Sequence, residues 1–278
     1  MHESHRTSAT DLHARIIFHL HTFIFLLFSL LPAPSKMSDF RFKQFSVSDS
    51  RSAMKIGTDG VLLGAWTPLP DDSSHTPVSV WDIGAGTGLL SLMIAQRLPS
   101  SQITAIEIDP GASQDARDNF VASPWADRLN LINSDIFALS HNLPSPDLIV
   151  CNPPFYNEDI HAPQATRSTA RHEGSLGIEP LISLASRILL PGGALSFIAP
   201  WKRLDDIEYI AALHHLTPTH LVPVIARQGR DPIRVLSRLV RDAAPTVVDR
   251  TPITLRDSSN SYTSQYIQLT DPFYLFLH

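Results

Sequence analysis

The stretch Val80-Trp81-Asp82-Ile83-Gly84-Ala85-Gly86-Thr87-Gly88-Leu89-Leu90 places three glycines between two apolar segments. The apolar residues from Val78 to Ile83 predict a short buried strand, and the apolar spacing from Leu89 to Leu98 predicts a helix. Glycines at such a junction allow a sharp turn and let a ligand approach without meeting a Cβ atom. Unpaired N–H groups at the start of the helix attract a polar or anionic group. The stretch therefore predicts a ligand-binding turn.

Three further polar residues follow the next predicted strands. Glu107 ends a strand and lies 19 residues after Gly88, where glycine-rich α/β nucleotide sites place the acid that binds ribose hydroxyls. Asp135 follows the next strand, and Asn152 follows the fourth. Ligands of open α/β sheets bind at the carboxyl ends of the strands. We therefore expect these residues and Asp82 to line one crevice.

Strand and helix patterns alternate through most of the chain. This alternation is typical of an α/β fold, in which a mostly parallel sheet carries helices on both faces. The predicted strands are 78–83, 103–108, 129–133, 147–151 and 194–199. The predicted helices are 88–98, about 111–122 and 179–190. Two apolar segments, Arg234 to Arg241 and Tyr266 to Leu277, are predicted to form an antiparallel strand pair that closes the sheet.

Two local structures are predicted before the glycine stretch. Phe40 to Val47 alternates between apolar and polar residues, which predicts an edge strand or a hairpin. Met54 to Trp66 predicts a turn followed by an apolar helix. Thr58 or Asp59 is the expected N-cap of that helix, because short polar side chains satisfy its first N–H groups.

Composition and charge limit the classes of protein to which the chain can belong. The chain has 278 residues, 43% of them apolar, and a formal net charge of −5, which suits one sizeable core. The one cysteine, Cys151, excludes an internal disulfide and agrees with a reducing compartment. The histidines from His141 onward show no metal-ligand spacing, so no metal site is predicted.

A net acidic chain needs a local basic patch to bind nucleic acid. The segment 227–242 contains five arginines and two aspartates, which makes it the candidate patch. Alternate positions on a strand point to opposite faces, so a strand here would divide the arginines between two faces. These arginines are Arg227, Arg230, Arg234, Arg238 and Arg241.

Residues 1–36 differ from the rest of the chain. The 16 residues from Ile16 to Leu31 are strongly apolar, follow basic residues and precede two prolines. They are fewer than the roughly 20 that a membrane-spanning helix needs, so a signal-peptide core and a short anchor are both open. A third alternative, which we favour, is that Met37 is the true start, because a well-formed domain over 37–278 follows. We expect membrane contact only if residues 16–31 are retained.

The order of these motifs resembles that of class I S-adenosylmethionine-dependent methyltransferases. The motifs are Asp-x-Gly-x-Gly-x-Gly, the acid Glu107, the later Asp135 and the run Asn152-Pro153-Pro154-Phe155. The block FKQFSVxxxRxAMKIGTDGVLLGAW, SPWADR at 123–128 and the terminal FYLFLH are similar to the bacterial tRNA(Val) (adenine-N6)-methyltransferase family. That resemblance covers about Phe40 to the C-terminus. The family ordinarily lacks a long apolar leader, so residues 1–36 depart from it.

The resemblance implies a Rossmann-like sheet with S-adenosylmethionine as the cofactor. Glu107 would bind the ribose of the cofactor, and Asp135 would bind its adenine amine. The glycine turn would hold the amino-acid part near Asp82. The remaining implied cofactor contacts are Thr58, Asp59, Gly84, Ala85, Gly86, Gly88, Ile108 and Ile136.

The resemblance also implies a way to activate the amine of adenine. Adenine N6 is a poor nucleophile because its lone pair is delocalised into the ring. The Asn152 side-chain oxygen and the Pro153 carbonyl would accept N6–H bonds and orient the amine. Pro154 would help to hold that carbonyl, and Phe155 would stack on the base. The implied substrate contacts are Lys55, Arg167 and Arg171.

The resulting hypothesis is a cytoplasmic enzyme that methylates an adenine N6 in tRNA, beside the anticodon of tRNA(Val). No metal and no obligate protein partner are expected. A loop adenine can be splayed out without opening a duplex. The alternatives are N5-methylation of a protein glutamine, DNA adenine methylation, and a non-catalytic membrane-tethered binding protein. The first two lack their usual extra domains here, and the third rests on the apolar leader alone.

Overall fold

The computed structural model describes residues 39–71, 77–139, 143–154 and 176–275. They belong to the unit from Ser38 to His278, which we describe by itself. The strands are β1 (Asp39–Arg41), β2 (Ser46–Ser48), β3 (Val78–Ile83), β4 (Ser101–Glu107), β5 (Leu129–Asn133), β6 (Leu148–Cys151), β7 (Ala194–Pro200), β8 (Leu216–Arg227), β9 (Pro232–Arg241) and β10 (Ile253–Arg256). The α-helices are α1 (Thr58–Trp66), α2 (Leu89–Arg97), α3 (Pro110–Val121), α4 (Ile136–Leu139), α5 (Ile178–Ile188), α6 (Leu204–Leu213) and α7 (Ser264–Thr270). Short 3-10 turns cover Ala126–Arg128 and Trp201–Arg203.

The main sheet has the strand order β10-β8-β9-β7-β6-β3-β4-β5. Strands β3 to β7 are mutually parallel, β9 runs antiparallel to β7 and β8, and β10 runs parallel to β8. The predicted α/β class, with a mostly parallel sheet and an antiparallel pair, is confirmed. We call the side of the sheet where β3 to β7 end the carboxyl rim, and the other side the amino rim.

Clusters of buried apolar residues cover both faces of this sheet. Alternate residues of β3 belong to different cores, with Trp81 in one and Val80 in the other, as the period of two in a strand requires. The core of Trp81 contains α5 and α6, and the core of Val80 contains α1, α2 and α7. Strands β6 and β7 are buried on both faces, which explains their nearly continuous apolar sequences.

The predicted strand from Tyr266 to Leu277 is wrong, since helix α7 occupies Ser264–Thr270. The Thr263 side chain caps this helix by accepting a hydrogen bond from the backbone N–H of Tyr266. Tyr266, Thr270 and Phe273 are buried at intervals of four and three residues, which is the helical and not the strand period. The strand predicted at Arg234 to Arg241 is confirmed within β9.

β9 pairs antiparallel with β7 on one side and with β8 on the other, and β8 was not predicted from the sequence. Pro218 and Pro223 argued against a strand at this position, because proline cannot donate to a strand ladder and is confined to edges and bulges. β10 pairs only with Val224 to Arg227, so both prolines lie where β8 has a ladder on one side. The register also shifts between Pro218 and His220.

Two expectations for the first 66 residues have different outcomes. The segment from Phe40 to Val47 forms the hairpin β1–β2, as predicted. Helix α1 begins at Thr58 with Gly57 as its N-cap and no side-chain cap. The prediction of Thr58 or Asp59 as the cap is therefore wrong, and Asp59 lies in the first turn with a different partner, Arg234.

Candidate active site

The glycine turn connects β3 to α2 at the carboxyl rim. Gly84, Gly86 and Gly88 all have positive φ angles, of 68°, 56° and 80°, a region that residues with a Cβ atom rarely adopt. A Cβ atom at Gly88 would also lie 2.3 Å from the Phe120 ring of α3. At Gly86 a Cβ atom would meet nothing within 4 Å. The turn is therefore tight against α3 at Gly88 and open to a ligand at Gly86.

Glu107 connects the end of β4 to this turn. Its Oε2 accepts a hydrogen bond of 2.7 Å from the Gly86 backbone N–H, and its Oε1 accepts one of 2.8 Å from the Asp109 N–H. The side chain is nearly buried. A carboxylate has about four acceptor sites, so each oxygen can still accept another bond. Glu107 is thus held rigidly while it keeps the capacity to bind hydroxyl groups.

Asp82 lies beneath the turn and is fully buried. Its Oδ2 accepts hydrogen bonds from the Ser91 backbone N–H at 3.0 Å and from the Ser91 hydroxyl at 2.7 Å. Its Oδ1 is buried without a partner among the described atoms. Burial raises the pKa of Asp82 to about 7, opposed by the Ser91 bonds and assisted by the charge of Glu107. Asp82 fixes the start of α2 and carries an acceptor atom that a ligand group can satisfy.

A first cleft of about 440 Å³, open to solvent, lies in front of the glycine turn. Asn152, the residue directly after β6, lines this cleft opposite the segment from Met54 to Gly57. Pro153 follows as a buried residue and Pro154 as an exposed one. The remaining lining residues are Gly60, Gly84, Ala85, Gly86, Thr87, Leu89 and Leu90.

A second cleft of about 310 Å³ lies on the other side of Gly84. Apolar residues form its walls, and Asp135 places a carboxylate among them. One oxygen of Asp135 accepts a hydrogen bond of 2.9 Å from the Phe137 N–H. The wall residue Ile108 is 61% exposed, which leaves an apolar surface open to a planar ligand. The other lining residues are Ile83, Ile106, Ser134, Ile136, Phe137 and Leu176.

Two polar residues of α3 anchor the segment that faces Asn152. The fully buried Asp115 side chain accepts bonds from the N–H groups of Arg51 and Ser52, and from the Arg51 guanidinium at 2.9 Å. Asn119 donates to the carbonyls of Ser48 and Thr87. The segment 48–57 is thereby held against both α3 and the glycine turn, and it forms one wall of the first cleft.

The chain resembles known proteins in both sequence and fold. The family described as "Methyltransferase small domain" matches residues 67–205. The tRNA1(Val) (adenine(37)-N6)-methyltransferase of Porphyromonas gingivalis is 42% identical over 245 residues, which are 84% of this chain and 94% of that protein. The enzyme of the same name from Aeromonas hydrophila is 40% identical over 239 residues, 86% of this chain and 98% of that protein. The chain belongs to this methyltransferase family.

A solved structure shows the same fold at low sequence identity. Protein Atu636 from Agrobacterium tumefaciens, described as a predicted O-methyltransferase, superposes with a TM-score of 0.61 at 20% identity. The match covers 77% of this chain and 96% of that one. This likeness confirms the predicted Rossmann-like sheet, and the matching family and relatives confirm the resemblance to methyltransferases.

The structure places eight of the predicted site residues at the two clefts. Lys55, Gly84, Ala85, Gly86 and Asn152 line the first cleft, and Gly84, Ile108, Asp135 and Ile136 line the second. Lys55 donates to the Asp49 carbonyl while 60% of its side chain stays exposed. Phe155, Arg167 and Arg171 lie outside the described residues, so their roles stay predictions.

Other predicted residues support the clefts without lining them. Asp82 supports the glycine turn from beneath by accepting a hydrogen bond from Ser91. Glu107 supports the same turn by accepting a hydrogen bond from Gly86. Gly88 packs against α3. Thr58 is exposed at the start of α1, and the Asp59 carboxylate bonds to Arg234 of β9 at 2.9 Å. This geometry favours a positioning role for Asp59 over direct cofactor contact.

Two groups of site residues were not predicted. The lining residues Met54 and Ile56 lie in the quoted block around Lys55 but have no polar group to single them out, and Leu176 belongs to no motif. Asp115 and Asn119 could have been found, because polar residues four apart lie on the buried face of the predicted helix 111–122.

Cys151, the last residue of β6, is a fully buried free cysteine. Burial raises the pKa of the Cys151 thiol well above its usual range, which disfavours the reactive thiolate. Among the described residues, no group of three or more His, Cys, Asp or Glu side chains could hold a metal ion. Helices long and apolar enough to cross a membrane are likewise absent from the described part of the chain.

Proposed function

We propose that the protein transfers a methyl group from S-adenosylmethionine to the exocyclic N6 of an adenine in tRNA(Val), beside the anticodon. One observation carries the proposal. Asn152, which directly follows β6, lines the same cleft as the glycine turn in a chain that belongs to the tRNA1(Val) (adenine(37)-N6)-methyltransferase family.

The donor groups of S-adenosylmethionine match the acceptors around the two clefts. Ribose hydroxyls suit the remaining lone pairs of Glu107, and an adenine amine suits the Asp135 carboxylate. The apolar walls of the second cleft, including Ile108 and Ile136, suit the adenine ring. The open backbone at Gly86 admits the amino-acid part of the cofactor. When bound, the cofactor supplies an electrophilic methyl group on its sulfonium sulfur.

The chain itself must prepare a weak nucleophile. The Asn152 side-chain oxygen and the Pro153 carbonyl accept the two N6–H bonds of adenine, which orients the nitrogen lone pair toward the first cleft. Proline at 153 and 154 fixes φ and keeps the carbonyl in place. These acceptors also stabilise the positive charge that develops on N6 during transfer. The N6 proton leaves to solvent after transfer, so a tuned general base is unnecessary.

The substrate class follows from the family and from the accessibility of the base. The relatives are named for adenine 37 of tRNA1(Val). A base in an anticodon loop can leave its stack without opening a duplex, which suits the open first cleft. Both tRNA and S-adenosylmethionine are present in the cytoplasm, where we place the reaction.

The test is methyl transfer by the purified protein to tRNA(Val) made without modifications. We expect N6-methyladenosine next to the anticodon, detected by mass spectrometry of nuclease fragments. The control substrate is the same tRNA with guanosine at that position, which should accept no methyl group. Transfer to a protein glutamine but not to tRNA would show that the alternative amide substrate is correct.

A further inference from the structure

The arginines of the segment 227–242 are divided between the two rims of the sheet. Arg234 pairs with Pro200 at the end of β7, which places it at the carboxyl rim. Arg241 bonds to Gly193 just before β7, which places it at the amino rim. Arg238 lies between them and donates to Thr219. Arg227 and Arg230 lie beyond Arg234, Arg227 as the last residue of β8 and Arg230 in the turn between β8 and β9.

This turn and the end of β10 form a surface that we call the hairpin tip, consisting of Arg227, Arg230 and Arg256. Arg256 is the register partner of Arg227 in the β8–β10 pair. The Arg227 guanidinium donates to the Ser258 carbonyl, and the Arg256 guanidinium donates to the Asn260 carbonyl and stacks on Tyr262. These contacts hold two of the cations in place without neutralising them.

The charges of the hairpin tip are not paired within the described residues. None of its three guanidiniums makes an ion pair with a described carboxylate, whereas the neighbouring Arg203 and Arg234 pair with Asp206 and Asp59. Two acids, Asp231 and Asp257, adjoin the hairpin tip, and the Ser259 hydrogen bond together with the charge of Arg227 lowers the pKa of Asp257. The Asp257 carboxylate accepts hydrogen bonds from Ser259 and Ser261 within its own turn.

The hairpin tip stands beside the first cleft and projects beyond it. β8 is three strands from β6 in the sheet order, a distance of about 14 Å at the usual strand spacing. Val224 of β8 is level with Arg234 and hence with Pro200, so Arg227 lies three residues farther out, about 10 Å. An RNA strand with one base in the cleft would pass the hairpin tip within a few nucleotides.

We propose that the hairpin tip binds RNA phosphates next to the target adenine. This inference rests on the proposed function, because it takes the base in the first cleft to belong to RNA. Exposed guanidiniums bind phosphate with good geometry, and the gain comes largely from release of counterions. The carboxylates Asp109 and Asp135 follow β4 and β5 on the far side of the cleft, which directs the RNA backbone toward the hairpin tip.

The experiment compares charge reversals of equal size at the two rims. Arg230→Glu and the double variant Arg227→Glu/Arg230→Glu alter the hairpin tip. Arg187→Glu is the matched control, an exposed arginine near the end of α5 at the amino rim. Unmodified tRNA(Val) binding is measured by fluorescence anisotropy from 50 to 300 mM salt. Methyl transfer at saturating tRNA and donor affinity are measured in parallel.

We expect affinity at 0.1 M salt to fall about 5-fold for Arg230→Glu and about 25-fold for the double variant, because each single-strand phosphate contact contributes about 0.7 to the salt exponent. The salt exponent should fall by about 0.7 for Arg230→Glu and by about 1.4 for the double variant. Donor affinity and the rate at saturating tRNA should stay unchanged, and Arg187→Glu should bind tRNA like the unaltered protein.

The outcomes separate this inference from the proposed function. If both hairpin-tip variants bind tRNA within twofold of Arg187→Glu, with the same salt exponent, the hairpin tip is not the phosphate site. If the double variant misfolds, tRNA binding by Arg230→Glu alone tests the proposal. This single variant should fold, because the Arg230 side chain makes no ion pair within the described residues. Binding of tRNA without methyl transfer would refute the proposed function and leave the binding comparison decisive. A protein that does not bind tRNA would refute both.

Discussion

The two halves of the carboxyl rim hold their charged side chains in different ways. In the glycine-turn half, at the ends of β3 to β5, Asp82 and Glu107 are buried and accept hydrogen bonds from fixed backbone groups. In the hairpin half, at β8 to β10, Arg227 and Arg230 are exposed at a turn. A small rigid ligand is bound best by preorganised acceptors, whereas a long polyanion needs adaptable cations. The contrast therefore matches a cofactor on one side and RNA on the other.

Asn152 lies at the boundary between the two halves, and its loss should have the largest effect. Asn152→Ala removes one of two acceptors for the adenine amine. Losing one preorganised transition-state hydrogen bond costs about 2.7–4 kcal/mol, or roughly a 100- to 1,000-fold lower rate. Single-turnover methyl transfer with saturating cofactor and tRNA measures it. Cofactor affinity serves as the control and should be retained. A near-normal rate in a folded Asn152→Ala protein would contradict the amine-orienting mechanism.

Glu107→Ala should weaken cofactor binding in the glycine-turn half and leave the hairpin half unchanged. The variant loses the acceptor of ribose hydroxyls and releases the N–H groups of Gly86 and Asp109. We expect cofactor affinity to weaken by about 1–3 kcal/mol, measured by calorimetry. Glu107→Gln keeps one acceptor oxygen and should lose less. Both variants should bind tRNA normally, and equal loss of tRNA affinity would show that the two halves are not independent.

Asp82→Asn should change the pH dependence of stability. The pKa of Asp82 is raised to about 7, so the folded chain keeps a proton that the unfolded chain releases above about pH 4. Its contribution to stability is complete below that pH and is lost as the pH rises to 7, with a slope of at most about 1.36 kcal/mol per pH unit. Asparagine cannot titrate.

Urea unfolding without cofactor from pH 4 to pH 8 measures this difference. The free energy of unfolding of the unaltered protein should fall relative to that of Asp82→Asn across the window. Asp127→Asn, at an exposed position, controls for the change in net charge. Parallel curves for all three proteins would mean that Asp82 is ionised throughout the range.

The ion pair of Asp59 and Arg234 joins the two halves, and its loss should have the smallest effect. Both side chains are 31% exposed, so the pair contributes at most about 1 kcal/mol to stability. Because α1 lines the first cleft through Gly60, we expect Asp59→Asn and Arg234→Gln to lower kcat a few-fold. The exchanged pair Asp59→Arg/Arg234→Asp should regain part of it. If the loss of kcat in the exchanged variant equals the sum of the two single losses, the two residues are not coupled through this contact.

Sequence patterns predict the parallel half of the sheet well. Its strands are short apolar runs, and each is followed by a helix with the 3.6-residue period, so neighbouring residues specify most of the geometry. The predicted strands differ from the observed ones by at most two residues at each end. The antiparallel half was predicted poorly, because the prolines of β8 and the short helix α7 conflict with the local rules. There the long-range pairing with β9 outweighs local preference.

The sequence by itself determined the chemistry of this protein. The glycine spacing, Glu107, Asp135 and Asn152-Pro153 are local patterns, and each follows a strand whose direction the α/β alternation specifies. Only the tertiary structure decided that Asp59 bonds to Arg234, that Asp115 holds the wall of the cleft, and which arginines share a rim with Asn152. The physical reason is that strand order and register arise from contacts between residues far apart in the chain. Period and spacing describe only neighbours.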